Sequence, residues 1–236
     1  MSEEFWWKYC GFFYNAAKKS QFVSNVHNAY KKTLISLKLP QGAKALDAGC
    51  GSGSSTFPLA ELGFEVLAVD FGASILNQAI CLNKKKGPYK NIEFKLMNLG
   101  KKLPLENDSF DLITSQHCIM KIQKPDDTLK EFSRVLKPGG IALITTTPDS
   151  DTPFEWLKKY KKNRGWMKTI WDIRWLIVWY IPYIIFTKKS DRRNEHRWKE
   201  DEFIEHMEGA GFRALTVARI PYINVGYLIG VFEKKS

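Results

Sequence analysis

Between residues 43 and 147, short apolar runs alternate with stretches of helical spacing, and this alternation restricts the fold more than any other feature of the chain. Ala43–Ala48, Phe64–Asp70, Ile92–Met97, Phe110–Ser115 and Ile141–Thr147 are too short for helices and read as buried strands. Ser54–Leu62, Ala73–Lys84 and Asp127–Leu136 read as helices, the last closed by the stop signal Lys137-Pro138-Gly139-Gly140. Strands that alternate with helices pair in parallel, with helices covering both sheet faces. Upstream, two stripes at three- and four-residue spacing predict helix across 5–38: Phe5, Tyr9, Phe12 and Phe13, then Phe22, Val26, Tyr30 and Leu34 after Ser20. Downstream, a helix at Glu200–Glu208 precedes two successive strands, Arg213–Arg219 and Tyr227–Glu233, which suggest an antiparallel closing pair. The predicted fold is α/β: a doubly wound, mostly parallel seven-stranded sheet with an antiparallel C-terminal edge pair and a helical lid. The 236 residues suit one domain. Its expected parts are a helical cap at 5–38, a core at 42–147, an insert at 148–198 and a closing helix and strand pair at 199–236.

The most informative stretch is Leu46-Asp47-Ala48-Gly49-Cys50-Gly51-Ser52-Gly53, which leaves a strand and enters a helix. Glycines there permit a tight turn and let a ligand approach the main chain. Amides exposed at the following helix start favour a carboxylate or phosphate. Asp70 ends the second strand, where an acid can accept both hydroxyls of a ribose. Phe71 follows it and offers a wall for a base. Asn98 follows the third strand, where its amide can bond an adenine edge. All three lie at carboxyl ends of neighbouring strands, where open α/β sheets bind ligands.

That loop, Val69-Asp70, Leu103-Pro104, Ser109-Phe110-Asp111-Leu112-Ile113 and Arg134-Val135-Leu136-Lys137-Pro138-Gly139-Gly140 together resemble the ordered motifs of Rossmann-like methyltransferases that use S-adenosylmethionine. The likeness covers about residues 42–147, with a weaker echo at His196–Phe212. It implies S-adenosylmethionine as cofactor. Gly49 and Gly51 would line its methionine part, with Asp47 near the amino group directly or through water, and Cys50 and Leu99 would be among the cofactor contacts. Asp70 would hold the ribose, Phe71 would border the adenine, and Asn98 stands where many relatives carry Asp. Ser115 and Gln116, just past the fourth strand, would lie beside the methionine moiety and the transferring methyl. The motif style is closest to small-molecule, quinone and lipid methyltransferases.

Methyl transfer from a sulfonium is mainly a matter of alignment, and a base is needed only where the acceptor must lose a proton. Three side chains are candidates for catalysis on the acceptor side. His117 lies just past the fourth strand. His196 precedes the late helix, as a histidine does in some small-molecule relatives. Tyr14 resembles a tyrosine near the N-terminus of quinone and sterol relatives. Quinone-ring methyltransferases carry an acid–His pair shortly after the fourth strand, where this chain has Met120-Lys121. Four cysteines without paired spacing give no metal or disulfide framework, so the expectation is no metal and a reducing, cytoplasmic compartment.

Charge and tryptophan concentrate in the insert. Residues 151–200 hold 13 Lys/Arg against 6 Asp/Glu, which is +7 of the net +11, and six of the eight Trp. Trp171, Trp175 and Trp179 would share one helix face, and Trp156, Tyr160 and Trp166 interleave with lysines. Such a stretch suits a lid whose aromatics pack on the core while its lysines face water, or a lid whose outer face also touches a membrane surface. The longest uncharged apolar run, Trp175–Thr187, is shorter than the roughly 20 residues a spanning helix needs. A basic aromatic surface also suits nucleic acid. However, no Asn/Asp-Pro-Pro-aromatic motif stands at the fourth strand end, where Ser115-Gln116-His117-Cys118 is found. The expected acceptor is a hydrophobic small molecule or lipid, entering beneath residues 5–38 and 148–198. An RNA substrate and a non-catalytic, membrane-associated SAM-binding protein are the alternatives.

Overall fold

The computed structural model describes residues 21–86, 88–146, 196–220 and 227–235. Tyr14, the first aromatic stripe and nearly all of the 148–198 insert lie outside the described residues.

The elements run α1 (Gln21–Ser36), β1 (Lys44–Ala48), α2 (Thr56–Glu61), β2 (Glu65–Asp70), α3 (Ala73–Lys86), β3 (Ile92–Leu96), β4 (Phe110–Gln116), α4 (Pro125–Val135), β5 (Leu136–Thr146), α5 (Glu200–Gly209), β6 (Phe212–Ile220) and β7 (Tyr227–Lys234). A 3₁₀ turn, Ile119–Lys121, lies between β4 and α4. The strands form one seven-stranded sheet in the order β3-β2-β1-β4-β5-β7-β6. β7 runs antiparallel to both neighbours, and the other pairings are parallel. The chain winds outward from β1 to β3 and then crosses back to β4 on β1's other side. That reversal opens a crevice above the carboxyl ends of β1 and β4.

Strand alternation explains the two cores. Leu46, Ala48, Leu67, Val69, Ile113, Ala142 and Ile144 face one side, against Leu129, Phe132 and Val135 of α4 and Phe203 and Met207 of α5. Ala45, Val66, Ala68, Leu112, Leu143 and Ile229 face the other, against Tyr30 and Leu34 of α1, Leu59 of α2 and Leu76 of α3. Phe132 is fully buried, and truncating such a side chain to Ala costs about 3–5 kcal/mol. Gly230 in β7 makes room for this packing. A Cβ there would lie 2.8 Å from Phe203, whose ring meets Phe232 edge-on at 5.2 Å.

Two boundaries differ from expectation for physical reasons. α4 begins at Pro125, whose missing N–H costs nothing in a first turn, and Asp126 and Asp127 favour the helix dipole there. It ends at Val135, and Leu136 pairs at once with Phe110. The next pairing is Leu112 with Ile141, so Lys137-Pro138-Gly139-Gly140 bulge out within β5 instead of merely stopping a helix. Arg134 secures this corner. Its guanidinium donates to the carbonyls of Leu103 (3.0 Å) and Leu105 (2.8 Å), to Asn107 Oδ1 (2.7 Å) and to Glu131.

Candidate active site

The glycine loop turns directly from β1 toward β2. The N–H groups of Gly49 and Cys50 both donate to the Val69 carbonyl at 2.9 Å. Gly49 has φ +83°, and a Cβ there would lie 2.4 Å from the Cys118 sulfur, so only glycine fits. Asp70 holds the loop from the β2 side. Its carboxylate accepts from Gly51 N–H and from Gly72 N–H, each at 2.9 Å. One bond to each oxygen leaves acceptor capacity on both for a pair of ribose hydroxyls. Phe71 beside it is 54% exposed, as a wall for a base would be. Asn98 is exposed, and its Oδ1 accepts from Gly100 N–H at 2.9 Å, which fixes the amide orientation.

Asp47, expected near the cofactor's amino group directly or through water, has its carboxylate turned inward. It is fully buried, and hydroxyls occupy its carboxylate: Ser55 Oγ at 2.9 and 2.8 Å, Thr56 Oγ1 at 2.6 Å and Thr114 Oγ1 at 3.2 Å. The β1–β4 register places Thr114 opposite it, and Ser55 and Thr56 start α2. Asp47 therefore ties the glycine loop to the helix that follows and to β4. Burial pushes its carboxyl up to about 6, against the hydrogen bonds from Thr56, Ser55 and Thr114; the charge of Asp70 pushes it further up.

Two other expected cofactor contacts turn their side chains inward. Cys50 packs into the core against α1 and α2, 2% exposed, and burial holds its thiol strongly protonated. Leu99 is 5% exposed in the opposite core, and its carbonyl accepts from Thr128 Oγ1 at 2.9 Å. Both lie in the loops that follow β1 and β3, which turn these side chains back onto the cores.

Ser115 and Gln116 are the last residues of β4 rather than lying past it. Ser115 is fully buried and Gln116 half-buried. His117 follows with φ +52°, uncommon for a residue with a side chain. Its N–H is shared between Thr145 O and Thr145 Oγ1, each at 3.2 Å, and its ring lies on Tyr227 with centroids 3.8 Å apart. Burial first, and the charge of Lys121 second, push its imidazole down to about 3, so it is neutral. His196 comes to the same edge, its N–H donating to the Met120 carbonyl at 2.8 Å. Trp198 then buries itself against Phe203 and His206 and anchors this segment to α5.

The crevice matches S-adenosylmethionine in its donors and acceptors. The glycine loop offers main chain at close range, and Asp70 retains acceptor capacity. At the β4 and β5 ends, four buried polar atoms have no partner among the described residues: Ser115 Oγ, Gln116 Nε2, His117 Nδ1 and Thr146 Oγ1. Buried polar atoms of this kind call for a ligand or solvent. Tyr227, Thr146, Ser55, Thr56 and Thr114 were not legible as site residues. Thr146 alone carried a signal, as a polar residue at a strand end. Among the described residues no cluster of His, Cys, Asp and Glu could hold a metal.

Sheet order, crevice and loop define a class I, Rossmann-like methyltransferase domain. The family model described as Methyltransferase domain matches residues 39–201, and the chain belongs to that S-adenosylmethionine-dependent family. Phosphoethanolamine N-methyltransferase 1 of Triticum aestivum is 35% identical over 138 residues, 58% of this chain and 27% of the relative. Demethylmenaquinone methyltransferase of Lysinibacillus sphaericus is 34% identical over 124 residues, 51% of each. The chain thus spans about half or less of these two curated relatives. Among solved structures, the methyltransferase in complex with the Haloferax volcanii Trm112 activator superposes with TM-score 0.69 at 18% identity, covering 100% of this chain and 99% of that one. Magnesium protoporphyrin IX methyltransferase from Synechocystis PCC 6803, with bound SAH, gives 0.64 at 15% identity, covering 89% and 82%. These two likenesses concern the fold alone.

Proposed function

We propose that this protein transfers a methyl group from S-adenosylmethionine to a hydrophobic, small or lipid-like acceptor at a membrane surface. The observation that carries the transfer is the crevice itself, where the Asp70-tethered glycine loop faces unpartnered polar groups at the ends of β4 and β5. The bound cofactor supplies a sulfonium that makes its methyl electrophilic. Gly49 and Gly51 would pass along its methionine part, Asp70 would accept from the ribose hydroxyls, and Phe71 and Asn98 would meet the adenine. Asp47 contributes through the loop it ties down. Ser115 and Gln116 would lie beside the methionine moiety and the transferring methyl, and His117, Thr146 and His196 would border the acceptor. Positioning of this kind can contribute roughly 7–11 kcal/mol to the reaction.

The names of the relatives, a quinone and a phosphoethanolamine methyltransferase, favour small acceptors. The basic, Trp-rich stretch at 151–200 favours contact with an anionic bilayer, where each Lys or Arg contributes ~1 kcal/mol. No helix among the described residues is long and apolar enough to cross a membrane; the proposed contact is peripheral. A cytoplasmic location is part of the same proposal. The test is incubation with methyl-labelled S-adenosylmethionine and fractionated lipid, small-molecule and RNA extracts. Label in the lipid or small-molecule fraction is expected, and label in RNA alone would overturn the acceptor. Flotation with phosphatidylglycerol vesicles should carry the protein upward at low salt; no flotation would remove the membrane.

A further inference from the structure

Four unpartnered polar atoms within one small region are unusual for a folded interior. The sheet register explains their proximity. Gln116 stands opposite Thr145, so His117 adjoins Thr146, and β7 brings Tyr227 beside the pair. His117 is held there in a left-handed main-chain conformation by the forked bond to Thr145. Such conformations persist where surrounding structure fixes them and cluster at ligand sites.

The chemistry of the region leans toward donation. Gln116 Nε2 donates only, the hydroxyls of Ser115 and Thr146 can donate or accept, and a neutral imidazole carries one N–H. Lys121 adds a positive charge close enough to depress His117, and no acidic side chain of the described residues is among the groups acting on that ring. Asp70 and Asp47 act on the neighbouring Cys118 rather than on this ring, and the Gln116 donor with the Lys121 charge suits an electron-rich oxygen. The low proton affinity of His117 also makes it a poor base for removing a proton from a hydroxyl near neutral pH.

We propose that the rim formed by Gln116, His117 and Tyr227 is the methyl-acceptor subsite and that it takes an oxygen nucleophile already ionised at neutral pH, an enolate or a carboxylate. Gln116 Nε2–H donates to that oxygen, His117 Nδ1 joins it in the tautomer that carries the proton there, and the His117 ring is kept in place by Tyr227. This rests on the methyltransferase function proposed above. A lone pair of the oxyanion forms the new O–C bond while the S–C bond of the sulfonium breaks, and sulfur keeps that electron pair. The negative oxygen and positive sulfur both become neutral, and no proton moves. A base is therefore unnecessary, consistent with a histidine unsuited to the task.

The test is equilibrium binding by calorimetry, first of S-adenosylhomocysteine and then of probes to the saturated protein. The probes are 2-hydroxy-1,4-naphthoquinone (an enolate at neutral pH), 1-naphthoate (a carboxylate) and the neutral 2-methoxy-1,4-naphthoquinone. At least one anion should bind tenfold or more tightly than the neutral probe, and which anion does so identifies the acceptor type. Gln116→Leu and His117→Leu should each weaken the anion at least tenfold and the neutral probe less than threefold. Gln116→Glu, isosteric but without the donor, should abolish anion binding and remains informative if His117→Leu does not fold. Equal affinity for neutral and anionic probes, or no anion binding, would overturn the subsite. So would variants that weaken S-adenosylhomocysteine as much as the anion, because the groups would then serve the cofactor. Failure of the wild-type protein to bind S-adenosylhomocysteine would instead overturn the methyltransferase function.

Discussion

Replacing Asp47 by asparagine tests the tether beneath the glycine loop. The carboxyl titrates at about 6 in the folded chain, against 3.8 for an ordinary aspartate. At ~1.36 kcal/mol per pH unit, the difference corresponds to about 3 kcal/mol. The sign follows from proton uptake: between those values the folded chain holds the proton more firmly than the unfolded chain does. Its contribution to stability is therefore greatest below about pH 4 and falls as pH rises to about 6. The substituted amide does not titrate, and the remaining groups cancel when the two proteins are compared. Urea unfolding at intervals from about pH 3 to about pH 8 should show Asp47→Asn gaining about 3 kcal/mol relative to wild type, nearly all of it below about pH 7. A difference that stays constant across this range would refute the buried-charge argument. Asp47→Ala should be worse at every pH, because Ser55, Thr56 and Thr114 would lose their shared acceptor.

Three further outcomes are expected. Asp70→Ala should weaken S-adenosylmethionine binding at least tenfold by calorimetry, and unchanged affinity would remove the ribose assignment. Gly49→Ala should destabilise by about 2 kcal/mol or more in thermal melts, through the clash with Cys118 and the positive φ together. Adding Cys118→Ala should restore only part of that loss. Arg134→Ala should cost about 2–4 kcal/mol, since two carbonyls and two side chains lose a charged donor. Arg134→Lys should recover little, because an ammonium cannot span that fork.

The succession of strands and most boundaries were legible because the apolar runs change period so clearly between glycines. β5 shows the limit of that signal. The Pro-Gly-Gly segment reads as a terminator until Leu136 is known to pair with Phe110 across the bulge. Within the site, Asp70 and the glycines were visible because their chemistry follows from adjacent residues. The hydroxyls around Asp47 were not, since Thr114 reaches it only through the β1–β4 register. Tyr227 was hidden for the same reason, being far from His117 in sequence and brought beside it by β7. Cys50 and Leu99 looked like ligand contacts because they sit within motifs, whereas local geometry turns their side chains into the cores.

The place of β7 has a consequence for how the chain is made. β5 is bordered on one side by β4, formed earlier in the sequence, but on the other only by β7, with Ile141 waiting for Glu233 and Thr146 for Leu228. During synthesis β5 is therefore an uncovered sheet edge, buried-type in sequence and open to pairing with another chain. Contacts so distant in sequence also form slowly. Nascent chains halted before β7 should be captured by chaperones or aggregate, while the β1–β4 half already resists protease.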